Sequence, residues 1–320
     1  TDGQSVNIVY SDATKGWLPL EDDVVADEPV APVTQKAIFA YGDGGGALNI
    51  SNLVNSSGVV GADVTGVGTA RYGIAAASYG FDKAIFAYGY TGSNSSLSNL
   101  VNNSGVVSAD VTGVGTARWL LAAAGYGTDK AIFGFGMPSG VTAITNLVNN
   151  SGVVAADTAG VGTARRSLAA CGFGTDKAIF GFGNAASVGN LANLVSNVGV
   201  VATDSTGVGT ARNGIAAAGY GGDKGIFAYG YNGSADVRIS NLVSNTGVVQ
   251  SDVSGVGSTR NTCTGASYGG DKGIFAYGVS GGSDTAISNL VSNIGVVSAD
   301  VSGVGTAREN TAGAGYSNTA

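Results

Sequence analysis

The residues of this chain whose types and spacing could do chemistry come in copies. Asp63 and Arg71 bracket the stretch DVTGVGTAR, and the same nine letters return at 110–118, 47 residues later. A glycine-rich loop beside a base is the form of a phosphate cradle, in which backbone N–H groups and a helix N-terminus hold the anion. Such a loop needs Gly-Lys-Ser/Thr opening a helix, or a third glycine there for a dinucleotide. Gly66-Val67-Gly68 leads instead to Arg71 and then to another β-rich run, and no copy is followed by a helical pattern. The Asp63-type acid and the Arg71-type base recur in six copies, as does the lysine of K-[AG]-I-F; an acid precedes that lysine in five (Asp82, Asp129, Asp176, Asp223, Asp271). Charges repeated this regularly read as ties between turns and neighbouring units rather than as reacting groups.

Other chemistries lack their residues. Histidine is absent, and with it the commonest general base and His-based triads. A glycosidase wants two carboxylates in distinct environments. Glu309 is the one glutamate after residue 35, and most aspartates there repeat one position. D-x-x-G-x-G-T is similar to the Asp-box of sialidases, without its aromatic or its spacing. No D-x-D-x-D calcium loop occurs. The expectation is a protein that is not an enzyme and needs no cofactor or metal. Cys171 and Cys263 fall in different repeats at different registers, which predicts small buried thiols rather than a disulfide.

The elements that position these residues follow from the period. Lys36, Lys83, Lys130, Lys177, Lys224 and Lys272 step by 47 or 48 residues, as do Arg71, Arg118, Arg165, Arg212, Arg260 and Arg308. Each unit reads as four short strands: a small-residue run such as LLAAAGYG, then KAIFAYG, then a strand around S-N-L-V, then G-V-V after an N-x-G turn. Roughly 45 residues per four strands is the period of a propeller blade. The first copy starts at its second strand, and the residues after Arg308, ENTAGAGYS, supply the missing first one. The prediction is an all-β fold, a six-bladed β-propeller of four-stranded blades over 36–320, its ring closed by the C-terminal strand completing blade one.

Residues 1–35 differ. They carry seven acids and one base, leaving the other 285 residues almost neutral with 15 acids and 14 bases. Val6–Tyr10 alternates as a strand would, Lys15-Gly16-Trp17 suggests a turn, and EDDVVADEPVAPV reads as an extended linker tying the propeller to other subunits of an assembly. Neither part has the basic footprint of a nucleic-acid binder. No stretch is apolar enough to predict membrane insertion, since the longest charge-free run, 131–156, is broken by Pro138, asparagines and glycines.

Over 36–317 the pattern resembles the kelch repeat: the arginine before the inner strand, the apolar strand ending in Tyr-Gly or Phe-Gly, and the turn before the fourth strand. Tyr-Gly stands where kelch has a double glycine, and the usual fourth-strand tryptophan is missing. The resemblance implies propeller topology. VYSDATKGWLPL (9–20) resembles junctions in tailed-phage fibre and adhesin proteins, which implies an extracellular or virion location.

Subtracting the repeated positions leaves the individual ones. Of 29 charged residues beyond residue 35, 23 recur and six do not: Asp43, Arg166, Asp236, Arg238, Asp284 and Glu309. These, and the non-recurring aromatics except Phe81, fall either directly after the motif arginine or between the second and third strands. Both loop classes emerge on one face of an up-and-down blade. Function is expected on loops held by a rigid frame. Tyr72, Trp119, Arg166, Asn213, Asn261 and Glu309 are therefore expected to line a rim near the axis, with Tyr90, Met137, Tyr231 and Arg238 further out, binding a host-surface glycan or protein. The alternative is a structural subunit with no ligand of its own.

Overall fold

The computed structural model describes residues 8–12, 16–19 and 34–319. The chain divides into two units, Thr1–Pro32 and Val33–Ala320. In the first, Ile8–Asp12 pairs antiparallel with Gly16–Pro19, Tyr10 opposite Trp17. The expected strand is present over Ile8–Tyr10, while Gly16 and Trp17, expected in a turn, belong to the second strand. Val6, Asn7, Lys15 and the acidic linker lie outside the described residues.

The second unit is all β among the described residues, six antiparallel sheets of three strands each and a two-stranded ribbon of Val279–Ser280 with Ser283–Asp284. K-[AG]-I-F-[AG]-[YF]-G supplies the middle strand of every sheet, and its run from the second residue to the last aromatic is buried throughout. A strand paired on both edges and covered on both faces has no side on which a polar residue would be solvated, hence the unbroken apolar run. Sheet two shows the common plan, Ala75–Tyr79, Lys83–Ala87 and Ser98–Val101. Sheet one is assembled from distant parts of the chain: Ala312–Tyr316 pairs with Lys36–Asp43, which pairs with Ala47–Val54.

The expected fourth strand is not a continuous ladder. Its segment meets the third strand only at isolated bridges, Val54↔Val60 and Ser51↔Val64 in sheet one, with equivalents in the other five. Four steps along the segment face three along the strand, so one residue is extra and the ladder must bulge. The buried Asn52 fills the gap, its amide donating to Gly61 O at 3.0 Å and to Asp63 Oδ1 at 2.9 Å. This polar side chain does the work of the missing backbone bonds, which the strand pattern alone does not reveal. The outer segment leaves Val59, Val106, Val153, Val200, Val248 and Val296 about 60 % exposed.

Each core is shared by adjoining sheets. The cluster of Ile38, Tyr41, Ile74 and Phe86 joins sheets one and two, and that of Phe39, Val54, Tyr268 and Tyr277 joins six and one. The repeated charges seal these seams. Arg71 is fully buried, lies 4.4 Å from the Tyr41 ring of sheet one, and donates to Tyr88 O at 2.8 Å and Asn99 Oδ1 at 2.6 Å in sheet two. Asp110 accepts from Thr69 N and Thr69 Oγ1 of the preceding copy, the latter at 2.6 Å. Asp63 does the same for Thr306, 243 positions away, so the last copy is tied to the first. The five Asp-Lys neighbours pair within their own turns, as Asp82 with Lys83 at 2.8 Å. Cys171 and Cys263 are buried and free, with burial pushing their thiols up to about 12 and about 11.

Candidate functional site

The six positions after the motif arginines are placed by two backbone devices. One is a cycle of hydrogen bonds. Gly73 N donates to Asn310 O, Leu120 N to Gly73 O, Ser167 N to Leu120 O, Gly214 N to Ser167 O, Thr262 N to Gly214 O, and Asn310 N to Thr262 O. Every member sits at positive φ, from 50° to 61°, including the four that are not glycine. Left-handed backbone at a non-glycine residue costs about 1–3 kcal/mol and persists only where its surroundings enforce it. Here one unbroken loop of six bonds does so. The cycle fixes where each preceding residue leaves the frame.

The other device is an antiparallel bridge repeated six times: Asp43↔Glu309, Tyr72↔Tyr90, Trp119↔Met137, Arg166↔Asn184, Asn213↔Tyr231 and Asn261↔Val279. One partner of each pair, Asp43, Tyr90, Met137, Asn184, Tyr231 or Val279, is the residue after Tyr-Gly or Phe-Gly. The aromatic of that dipeptide holds φ near +63° and the glycine near +100° in all six copies. A Cβ on Gly89 would stand 2.9 Å from Tyr72 O, so the close approach of the two chains requires glycine there. The left-handed backbone of the aromatic in that dipeptide presents its ring for a motif arginine to stack on.

The ten residues predicted as a site therefore separate. Tyr72, Trp119, Arg166, Asn213, Asn261 and Glu309 form one ring, all half-exposed, and Tyr90, Met137 and Tyr231 are their bridge partners. Arg238 does not join them. Its guanidinium donates to Gly257 O at 3.0 Å, in the glycine loop of its own repeat, because it sits two residues from the third strand on the side of the outer segment. Two participants escaped the sequence reading, Asn184 as the partner of Arg166 and Thr262 as a donor to Glu309. The signal for Asn184 was available: it follows Phe182-Gly183, and every residue in that register faces the ring.

The ring is chemically uneven. Tyr72, Tyr90 and Trp119 pack on one another, with centroids 5.6, 5.9 and 5.3 Å apart. Beside them Arg166 donates to Met137 Sδ at 3.0 Å, a weak acceptor. Asn261 donates to Asp236. Glu309 accepts from Thr262 Oγ1 at 2.9 Å, and Asp43 from Gly45 N and Gly46 N. Glu309 is raised above the usual glutamate range by burial, then by Asp284 and Asp43, with the Thr262 bond opposing. Asp284 is raised by burial and by Asp43. The phenol of Tyr72 is raised by burial, then by Asp43, Tyr90 and Glu309, which sets the aromatic group against the carboxylates.

Inside the ring lies a cavity of about 110 Å³, lined by the first residues of all six inner strands. Its walls are small, with Ala76, Ala123, Ala170, Ala217, Gly265 and Gly313 at equivalent positions. Larger residues do not fit where backbones converge: a Cβ on Gly313 would stand 2.9 Å from Gly265 O. Among the described residues, no group of three or more His, Cys, Asp or Glu is arranged to hold a metal ion.

In comparison with known proteins, no family model and no curated protein matches the chain.

Proposed function

We propose that the second unit is a six-bladed β-propeller and that the chain is a non-enzymatic binding module, recognising a cell-surface carbohydrate through the ring of individual side chains. The propeller reading is supported by the closed cycle of six hydrogen bonds and by six cores each shared between neighbours; the bulged outer segment would be the fourth strand of each blade. The kelch-like pattern points the same way, and the resemblance of 9–20 to fibre and adhesin junctions supports a place on a virion or outside the cell.

The observation that carries the binding reading is the half-exposed Tyr72–Tyr90–Trp119 group on a frame otherwise copied six times. Aromatic faces stack on the apolar faces of sugar rings, and the amides of Asn213 and Asn261 on the far side of the cycle offer donors and acceptors to hydroxyls. A glycan array probed with the wild type and with Trp119→Ala tests it. Binding by the wild type and its loss in the variant are expected; a wild type silent on every glycan refutes the carbohydrate reading. A second reading, a structural subunit of an assembly, is favoured by the six outer valines, which recur at one register and stand exposed. It predicts that Val106→Asp with Val153→Asp lowers the oligomer mass seen in sedimentation.

A further inference from the structure

Resting on the carbohydrate reading, the ring's charge order says which sugars. Around the cycle the positions run Glu309, Tyr72, Trp119, Arg166, Asn213, Asn261. Arg166 and Glu309 are three steps apart in a cycle of six and so stand across it from one another. Hydrogen-bonded backbones lie about 5.5 Å apart, which makes the cycle about 11 Å across. Both side chains are long enough to shorten that gap, and Tyr72 with Trp119 lies along one arc between them.

Among the described residues neither charge forms an ion pair. Among the six bridge pairs Arg166 is the sole cation, and no carboxylate pairs with it among the described residues; its recorded side-chain partner is a thioether sulfur. Glu309 stands with Asp43 and Asp284, three acids with only hydroxyl and backbone donors recorded at the first two. Thr311, two residues on from Glu309, lines the cavity beneath, and its buried hydroxyl has no hydrogen-bond partner among the described residues. Elsewhere the motif arginines stack on aromatic rings and the five Asp-Lys neighbours pair, while Arg238 donates to a backbone carbonyl. Unpaired charge of both signs, on opposite sides of one aromatic platform, is an arrangement that a ligand completes.

We infer that the ring takes a zwitterionic saccharide, with its ammonium group held by Glu309, Asp43 and Asp284, its carboxylate held by Arg166, and its ring laid across Tyr72 and Trp119. Neutral sugars would use the platform alone.

Four monosaccharides test this by titration calorimetry on the full chain at pH 7: muramic acid (amine and carboxylate), N-acetylmuramic acid (carboxylate only), glucosamine (amine only) and N-acetylglucosamine (neither). Muramic acid should bind about tenfold more tightly than either singly charged sugar, the worth of one charge-assisted hydrogen bond. Glu309→Gln should erase its advantage over N-acetylmuramic acid. Arg166→Gln should erase its advantage over glucosamine. Both substitutions are at half-exposed positions, and unchanged melting cooperativity would show the variants folded. Equal binding of all four sugars, or an advantage indifferent to both substitutions, overturns the zwitterion inference and leaves the carbohydrate reading standing. Binding of none of the four, with a silent glycan array, overturns both.

Discussion

Replacing Arg308 by methionine should destabilise the protein as much as replacing Arg118, although the two seal seams of very different sequence span. Arg118 donates from Nε to Phe135 O at 2.8 Å, from Nη1 to Thr116 O at 3.1 Å and from Nη2 to Asn146 Oδ1 at 2.8 Å, and lies 4.2 Å from the Tyr88 ring. Arg308 repeats this with Tyr41 O, Thr306 O and Asn52 Oδ1 at 2.8, 3.0 and 2.8 Å, 3.9 Å from the Tyr277 ring, reaching back 267 positions to Tyr41. Methionine keeps most of the stem and removes all three bonds. Acceptors left without donors cost about 1–3 kcal/mol each and the lost stacking up to about 2 kcal/mol, while the guanidinium no longer has to be desolvated. The net should be about 3–5 kcal/mol, as for other broken buried charge networks. At about 2 °C per kcal/mol for a chain of this size, each variant should melt roughly 6–10 °C below the wild type. Arg260→Met is the internal control. Arg260 already lacks a partner at Nε and keeps two bonds, so its loss should cost about two thirds as much. Calorimetric melts of the three variants give the answer. A fall for Arg308→Met of less than half that for Arg118→Met would show that sheets six and one are not sealed like the rest, and the cyclic arrangement would be wrong.

Other outcomes follow from the same contacts. In the fifth copy the motif reads GVGSTR, and there both Arg260 Nε and the Tyr229 hydroxyl are buried without partners; Ser258→Thr with Thr259→Ala should restore them and raise the melting temperature, and an unchanged or lower value would show that the motif change is not the cause. The seam aspartates, Asp63 and Asp110 among them, feel burial that raises them, yet bonds from threonine and asparagine and the nearby arginine bring them below the ordinary value of 3.8. A depressed folded pKa means stability fully present above that ordinary value and lost as pH falls through the lower, folded one. Melting temperature should therefore hold from pH 7 to about 5 and drop steeply below about 4, and a flat profile down to pH 2.5 would contradict the bonding. Glu309, raised in the folded protein, has the opposite sign. Glu309→Gln should stabilise the free protein at pH 7, with the gain shrinking as acid protonates the wild type; a loss of stability at pH 7 would mean that the Thr262 bond outweighs the burial and like-charge repulsion.

Much of this was legible because the chain carries its own comparison set. Whatever recurred was frame, and subtracting it exposed Tyr72, Trp119, Arg166 and Glu309 as individual. The strand order, and the strand that completes sheet one, followed from where the first copy begins and the last one runs on. The outer segment, expected as a fourth strand, meets the third only at isolated bridges; the extra residue and the asparagine that absorbs it are visible only in register. That Arg238 donates to Gly257 O rather than joining the bridge pairs was not legible either, since position in a loop does not say which way a long side chain turns. Sequence also marked the recurring Asp63 and Arg71 as ties between neighbouring units without naming the partners, Thr69 for Asp110 and Thr306 for Asp63. The hydrogen-bonded cycle left almost no trace, for its six members are Gly, Leu, Ser, Gly, Thr and Asn: the frame uses their backbones and leaves their side chains free to differ.

Sheet one is built from strands made far apart in time as well as in sequence. During synthesis, sheets two to six can each form as their own residues emerge, but Lys36–Asp43 must wait for Ala312–Tyr316 to leave the ribosome. Until then its inner edge is an unsatisfied template able to accept a strand from another chain. Loop-closure entropy rises only about 0.6 kcal/mol per doubling of length, so the delay and not the distance is the hazard. Once the other sheets have stacked, the two ends are held close, and closure becomes an intramolecular step at high effective concentration. The clasp thus acts as a proofreader of completeness: a chain cut short before residue 312 keeps an open edge that chaperones and proteases can recognise.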